Sequence, residues 1–103
     1  MLRTAIAARH LISFTLSGCR RVAEPHDYGI INGETRLFFY QTGGESHSGK
    51  PVGWRWAVLS KISDLEMLDE HFPGPRAGPS ERHVKWDQLF ASVSQRLRRR
   101  WTA

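Results

Sequence analysis

Apolar and polar residues alternate from Ile12 to Leu16, with Ser13 and Thr15 between Ile12, Phe14 and Leu16, the period of a strand that buries one face. Ser17-Gly18 then marks a turn, and Arg20–Glu24 reads as a second strand. Pro25 is expected to end that strand or sit on an edge, because it cannot donate to a ladder. Tyr28–Ile31 reads as a third short strand, Asn32-Gly33 as a hairpin turn in which both residues tolerate positive φ, and Leu37–Thr42 as the returning fourth strand. The stretch 43–53 is rich in Gly and Ser and has no period, so it reads as a flexible loop. A fifth strand is expected over Trp54–Ile62, with Trp54, Trp56, Val58, Ser60 and Ile62 on one face and Arg55, Ala57, Leu59 and Lys61 on the other. Leu65–Leu68 continues it past a bend.

The pattern changes at the two ends. Leu2, Ala5, Ile6 and Arg9 fall at helical spacing, which predicts a short amphipathic helix packed on the strands. Phe72–Ser80 contains three prolines and two glycines and reads as an extended linker. Beyond it, Trp86, Leu89, Phe90, Val93 and Leu97 form a stripe that predicts a helix over 84–100, with Arg96, Arg98, Arg99 and Arg100 as a basic patch near its negative end. The expected organisation is therefore a β domain over 1–72, a linker over 73–83 and a basic amphipathic helix over 84–103. The expected fold class is mainly β, a small five-stranded barrel with a helix at either end.

At 103 residues, with 40% hydrophobic and 24% charged residues, the composition is that of one folded domain with a modest core. No apolar run approaches the roughly eighteen residues of a membrane span. The opening residues are Arg-rich and acid-poor like a targeting peptide, yet they run into the first strand without a small-residue cleavage site. Cys19 is the single cysteine, which fits a reducing compartment and points to the cytoplasm. The net charge of +5 is uneven: residues 1–23 and 82–103 are basic and 24–81 are net acidic. Polyanion contacts are thus expected from the flanks, or from basic residues gathered only by folding.

Catalytic patterns are sparse. His10, His26, His47, His71 and His83 lack compact metal-ligand spacing, and one cysteine cannot build a structural zinc site. Cys19 beside Arg20 and Arg21 is a reactive-thiol candidate only if a histidine reaches it in the fold. The loop holding Gly43, Gly44, Lys50 and Gly53 lacks the spacing of a phosphate loop and joins strands instead of opening a helix. The reading is a binding module, with no catalytic residue, no metal and no cofactor assigned.

Several segments together carry a family resemblance: the leading Ala5-Ile6, the strand Ile12-Ser13-Phe14, Arg21 shortly before Glu24-Pro25, the run Leu37-Phe38-Phe39-Tyr40, and Leu59-Ser60-Lys61-Ile62. From about Ala5 to Phe72 the chain resembles the WYL domain, an Sm-like β-barrel found mainly in bacterial transcriptional regulators behind a winged helix-turn-helix. Leu37-Phe38-Phe39 stands where the family carries Trp-Tyr-Leu. Lys61 matches the second of two basic residues on the family's late strand, and Val58 occupies the first, with Arg55 the nearest alternative.

The resemblance implies a regulatory, ligand-sensing module that binds a nucleotide or nucleic acid through basic barrel residues, here without a DNA-reading domain and acting with a separate partner. The candidate ligand-binding residues are Arg21, Arg36, Tyr40, Arg55 and Lys61: a guanidinium fork recognises phosphate and an aromatic ring stacks a base. The competing expectation for isolated Arg and Lys on strands is solvated surface charge. A protein adaptor docking through the C-terminal helix is the alternative, and exposed sheet edges leave room for a homodimer.

Overall fold

The computed structural model describes residues 1–46, 49, 52–76 and 85–93. A short helix α1 (Leu2–Ala8) leads into strands β1 (His10–Leu16), β2 (Cys19–Ile31), β3 (Glu34–Gly44) and β4 (Gly53–Val58). A 3-10 turn (Leu59–Lys61) follows, then β5 (Ile62–His71) and β6 (Gln88–Ser92). The strands form one antiparallel sheet in the order β4-β3-β2-β1-β5, with β6 also paired to β2. The fold is mainly β as expected, but β4 and β5 end the order without pairing, so among the described residues the sheet is open and not a closed barrel.

Turn chemistry sets the first two hairpins. Ser17 and Gly18 have φ of 53° and 76°, and Asn32 and Gly33 have 52° and 78°. Positive φ at both central residues gives the tight two-residue turn whose twist matches paired strands. These turns fix the registers Leu16↔Cys19 and Ile31↔Glu34. At the amino end, α1 is too short to stand alone and is held by burying Leu2, Ala5 and Ile6, the spacing read from the sequence.

Pro25 does not end its strand. β2 runs through it, because the β1 register stops at Ala23, the β6 register begins at Asp27, and the β3 register slips between Pro25 and Asp27. The missing N–H thus falls at a bulge between ladders, where nothing asks for it. The expected second and third strands are one thirteen-residue strand. Conversely, the expected fifth strand is divided: β4 stops at Val58, and the 3-10 turn breaks the alternation before β5 begins. Arg55 and Lys61 therefore do not share a strand face.

The expected helix over 84–100 is corrected where the structure describes it, since Gln88–Ser92 is a strand. Beyond Ala23 one edge of β2 has lost β1, and its buried backbone groups need partners. β6 supplies them along Asp27–Ile30, and Val93 N–H donates to the His26 carbonyl at 2.8 Å. A stripe such as Leu89, Phe90 and Val93 is compatible with either period over so short a run, and the vacant edge decides. Residues 94–103, with Arg96, Arg98, Arg99 and Arg100, lie outside the described residues.

The main core sits on one face of the sheet: Leu2 and Ala5 of α1 with Ile12, Phe14, Ala23, Leu37, Phe39 and Ala57. Phe14 meets Phe39 edge-on at 5.1 Å. Ile6, Phe72 and Val93 form a smaller cluster that ties α1 to the chain around β6. At the β1–β5 seam, Arg20 donates to Ser13 Oγ at 2.8 Å, to the Asp64 carbonyl at 2.8 Å and to Glu66 at 3.1 Å.

Gly29 tests the placement of β6. A Cβ there would collide with the Gln88 carbonyl oxygen and lie 2.9 Å from the Trp86 ring. Gly29→Ala is expected to cost about 1–3 kcal/mol by overpacking. Hydrogen exchange should accelerate at the β2–β6 amides while β1–β2 amides stay protected; an unchanged β6 would contradict this packing.

Candidate functional site

The face of β3 and β4 opposite the core carries the unusual chemistry. Period two and register place three rows across neighbouring strands: Glu24–Tyr40–Trp54, Asp27–Phe38–Trp56 and Gly29–Arg36–Val58. Phe38 is buried among tryptophans, stacked on Trp54 at 4.8 Å with an interplanar angle of 9° and tilted against Trp56 at 4.6 Å. Tyr40 meets Trp54 edge-on at 5.3 Å. Trp86, from the segment before β6, lies over the space that Gly29 leaves open and contacts Trp56 at 5.6 Å. Tyr40, Trp54, Trp56 and Trp86 are each half-buried, so the strip keeps contact with solvent.

The Tyr40 end of the strip holds a buried polar cluster. Glu24 is 5% exposed, and both its carboxylate oxygens accept from Arg76, from Nε at 2.9 Å and from Nη2 at 2.8 Å. The Arg76 guanidinium carbon lies 3.9 Å from the centre of the Tyr40 ring. Hydrogen bonding to Glu24 holds the Arg76 pKa above its ordinary value. His26 stands beside the pair, with Nδ1 2.9 Å from the Glu24 carbonyl and Nε2 accepting the Arg76 backbone N–H at 3.3 Å. These partners fit the neutral imidazole with its hydrogen on Nδ1, a tautomer assigned from the bonding pattern. The His26 ring packs edge-on against Trp54 at 4.8 Å and stacks with Phe72 at 5.6 Å.

Arg76 reaches this position on the segment Pro73-Gly74-Pro75, which Arg9 secures by donating to the Pro73 carbonyl at 2.7 Å. Gly74 has φ of 139°, and a Cβ there would lie 3.0 Å from the Arg9 guanidinium, so glycine suits the position on both counts. A cavity of about 200 Å³ lies between this segment and Glu24.

The five candidate residues do not converge. Arg36 and Tyr40 share the aromatic face, with Arg36 paired to Glu34 at 2.6 Å. Lys61 is exposed in the 3-10 turn that follows Val58, the register partner of Arg36. Arg55 pairs in register with Phe39, which places it on the core face of β4. Arg21 is buried, donating to Gln41 Oε1 at 3.2 Å and to the Leu16 carbonyl at 3.2 Å, so it closes the β1–β2 hairpin from inside. Cys19 is buried beside the same turn. Among the described residues, no group of three His, Cys, Asp or Glu is placed to hold a metal, and no helix is long and apolar enough to cross a membrane.

Sequence reading missed Glu24, His26 and Arg76 as one cluster. The available signal was Glu24-Pro25-His26, a buried-looking polar run around a proline, but Arg76 is brought to it only by the folded chain. Comparison with family models, curated proteins and solved structures finds no match.

The Glu24–Arg76 pair should be coupled. In a double-mutant cycle of Glu24→Gln and Arg76→Ala, an interaction of about 1–2 kcal/mol is expected, below the roughly 3–5 kcal/mol lost on breaking a fully buried pair, because the Arg76 side chain keeps 41% exposure. Additive effects by chemical denaturation would mean that the contact contributes nothing measurable.

Proposed function

We propose that this chain is a non-enzymatic regulatory module of the WYL kind, binding a nucleotide or a nucleic-acid strand on the aromatic face of β3 and β4 and acting with a separate protein partner. The observation that carries this reading is the strip of half-buried rings, Tyr40, Trp54, Trp56 and Trp86, that leads to Arg36. Bases of any sequence stack on such rings, and neighbouring cations neutralise phosphate. Exposed Lys61 follows the end of β4, and exposed Lys85 precedes Trp86. A cleft of about 500 Å³, lined by Tyr28, Gly33, Glu34, Thr35 and Val58–Ser60, opens at the same end of the β3–β4 pair and offers space for a ring.

Arg36 is available to a ligand, since its pair with Glu34 is surface-exposed and such pairs contribute only about 0–1 kcal/mol. Arg21 acts indirectly in this reading, because its guanidinium is already bound to Gln41 and to the Leu16 carbonyl.

Binding of short single-stranded DNA and RNA, followed by fluorescence anisotropy at two salt concentrations, tests the proposal. Arg36→Ala should reduce the salt slope by about one, and Trp56→Leu, which keeps an apolar cover and removes the stacking face, should weaken binding about tenfold or more. Tight binding that both variants leave untouched moves the site elsewhere, and no binding to oligonucleotides or mononucleotides removes this function.

A further inference from the structure

The contact between Arg76 and the sheet has the chemistry of a ligand in a receptor. Its receptor half is built on three adjacent strands: Glu24 and His26 on β2, Tyr40 on β3 and Trp54 on β4. The Glu24 carboxylate is buried, points its two oxygens at one planar fork, and lies in register with Tyr40, whose ring face covers that fork from one side. A bidentate carboxylate beside an aromatic face selects a planar guanidinium over an ammonium, which offers a point charge and no fork.

The ligand half lies outside the sheet. Arg76 follows Pro73-Gly74-Pro75, its side chain is 41% exposed, and the cavity of about 200 Å³ beside Glu24 borders its segment. The receptor half is thus shaped by strand pairing that does not involve Arg76, which comes from a segment outside the sheet.

We propose that Glu24, His26, Tyr40 and Trp54 form a guanidinium-binding site whose external ligand is an arginine side chain or a related guanidinium compound, with Arg76 as the internal competitor. A tethered ligand competes at an effective concentration in the millimolar range, so the site is masked against weak free ligands and opens when Arg76 is displaced. The site lies at the opposite end of the aromatic strip from Arg36 and does not depend on nucleic-acid binding.

The test uses the full chain carrying Arg76→Ala, titrated with N-acetyl-arginine amide and, at equal ionic strength, with N-acetyl-lysine amide, while the Trp54 indole N–H resonance is followed. The arginine compound should shift that resonance in Arg76→Ala at concentrations about tenfold lower than in wild type, the lysine compound should not, and adding Glu24→Gln to Arg76→Ala should abolish the response. A short Gly-Pro-Arg-Ala peptide identifies the source: tighter binding than N-acetyl-arginine amide points to a polypeptide ligand, and equal binding to a small guanidinium compound. A folded Arg76→Ala protein that ignores arginine, or answers lysine equally, overturns the proposal. If Arg76→Ala does not fold, Arg76→Lys keeps the charge and lacks the fork; it should respond to the arginine compound more readily than wild type, and failure there overturns the proposal as well.

Discussion

Backbone groups on both edges of β2 need partners along thirteen residues, and most of the fold follows from how they are supplied. β3 covers one edge from Arg21 to Ile31, with slips at Val22/Ala23 and Pro25/Asp27. The other edge is divided between β1 before the bulge and β6 after it. The change of partner on that edge coincides with the Pro25–Asp27 register shift against β3. Ala23 through Asp27 are all buried, with β3 along one edge and the Phe72–Arg76 segment against His26 and Glu24.

The same constraint generates the polar cluster. A buried Glu24 beside a proline bulge is costly unless its charge is matched, and nothing on β1 or β3 matches it. The match comes from Arg76 across more than fifty residues of sequence, on a segment that Arg9 ties to the end of α1. Because the same segment places Phe72 against His26, apolar packing and the ion pair reinforce one another. A lone surface pair would do little here; the pair gains its weight from the burial of Glu24 and from the ring face of Tyr40.

Much of the local structure was legible in the residues. The leading helix, the alternation of Ile12, Phe14 and Leu16, and the turns at Ser17-Gly18 and Asn32-Gly33 follow from period and φ tolerance, which are local properties. The shared face of Trp54 and Trp56 was legible for the same reason. What escaped depends on partners distant in sequence: the passage of β2 through Pro25, the break after Val58, and the strand at Gln88–Ser92, whose hydrophobic spacing fits a helix until a vacant strand edge is considered. Arg21 shows the limit for the site. Its type and place suggested phosphate recognition, and only the fold brings it the Gln41 amide and the Leu16 carbonyl.

The placement of cations separates two roles that sequence alone merges. Arg20, Arg21 and Arg76 each donate more than one hydrogen bond within the chain, joining neighbouring strands or segments. Arg36 and Lys61 sit at one end of the β3–β4 pair, Arg36 paired to the exposed Glu34 carboxylate. Net charge therefore overstates the cations available to an anionic ligand, because part of it is used internally. The half-buried rings between the two groups give the aromatic face two chemically different ends: a carboxylate end already filled by a guanidinium, and a cationic end open to an anion. In the proposed function that polarity orients the ligand, along a direction set by the register of β2, β3 and β4.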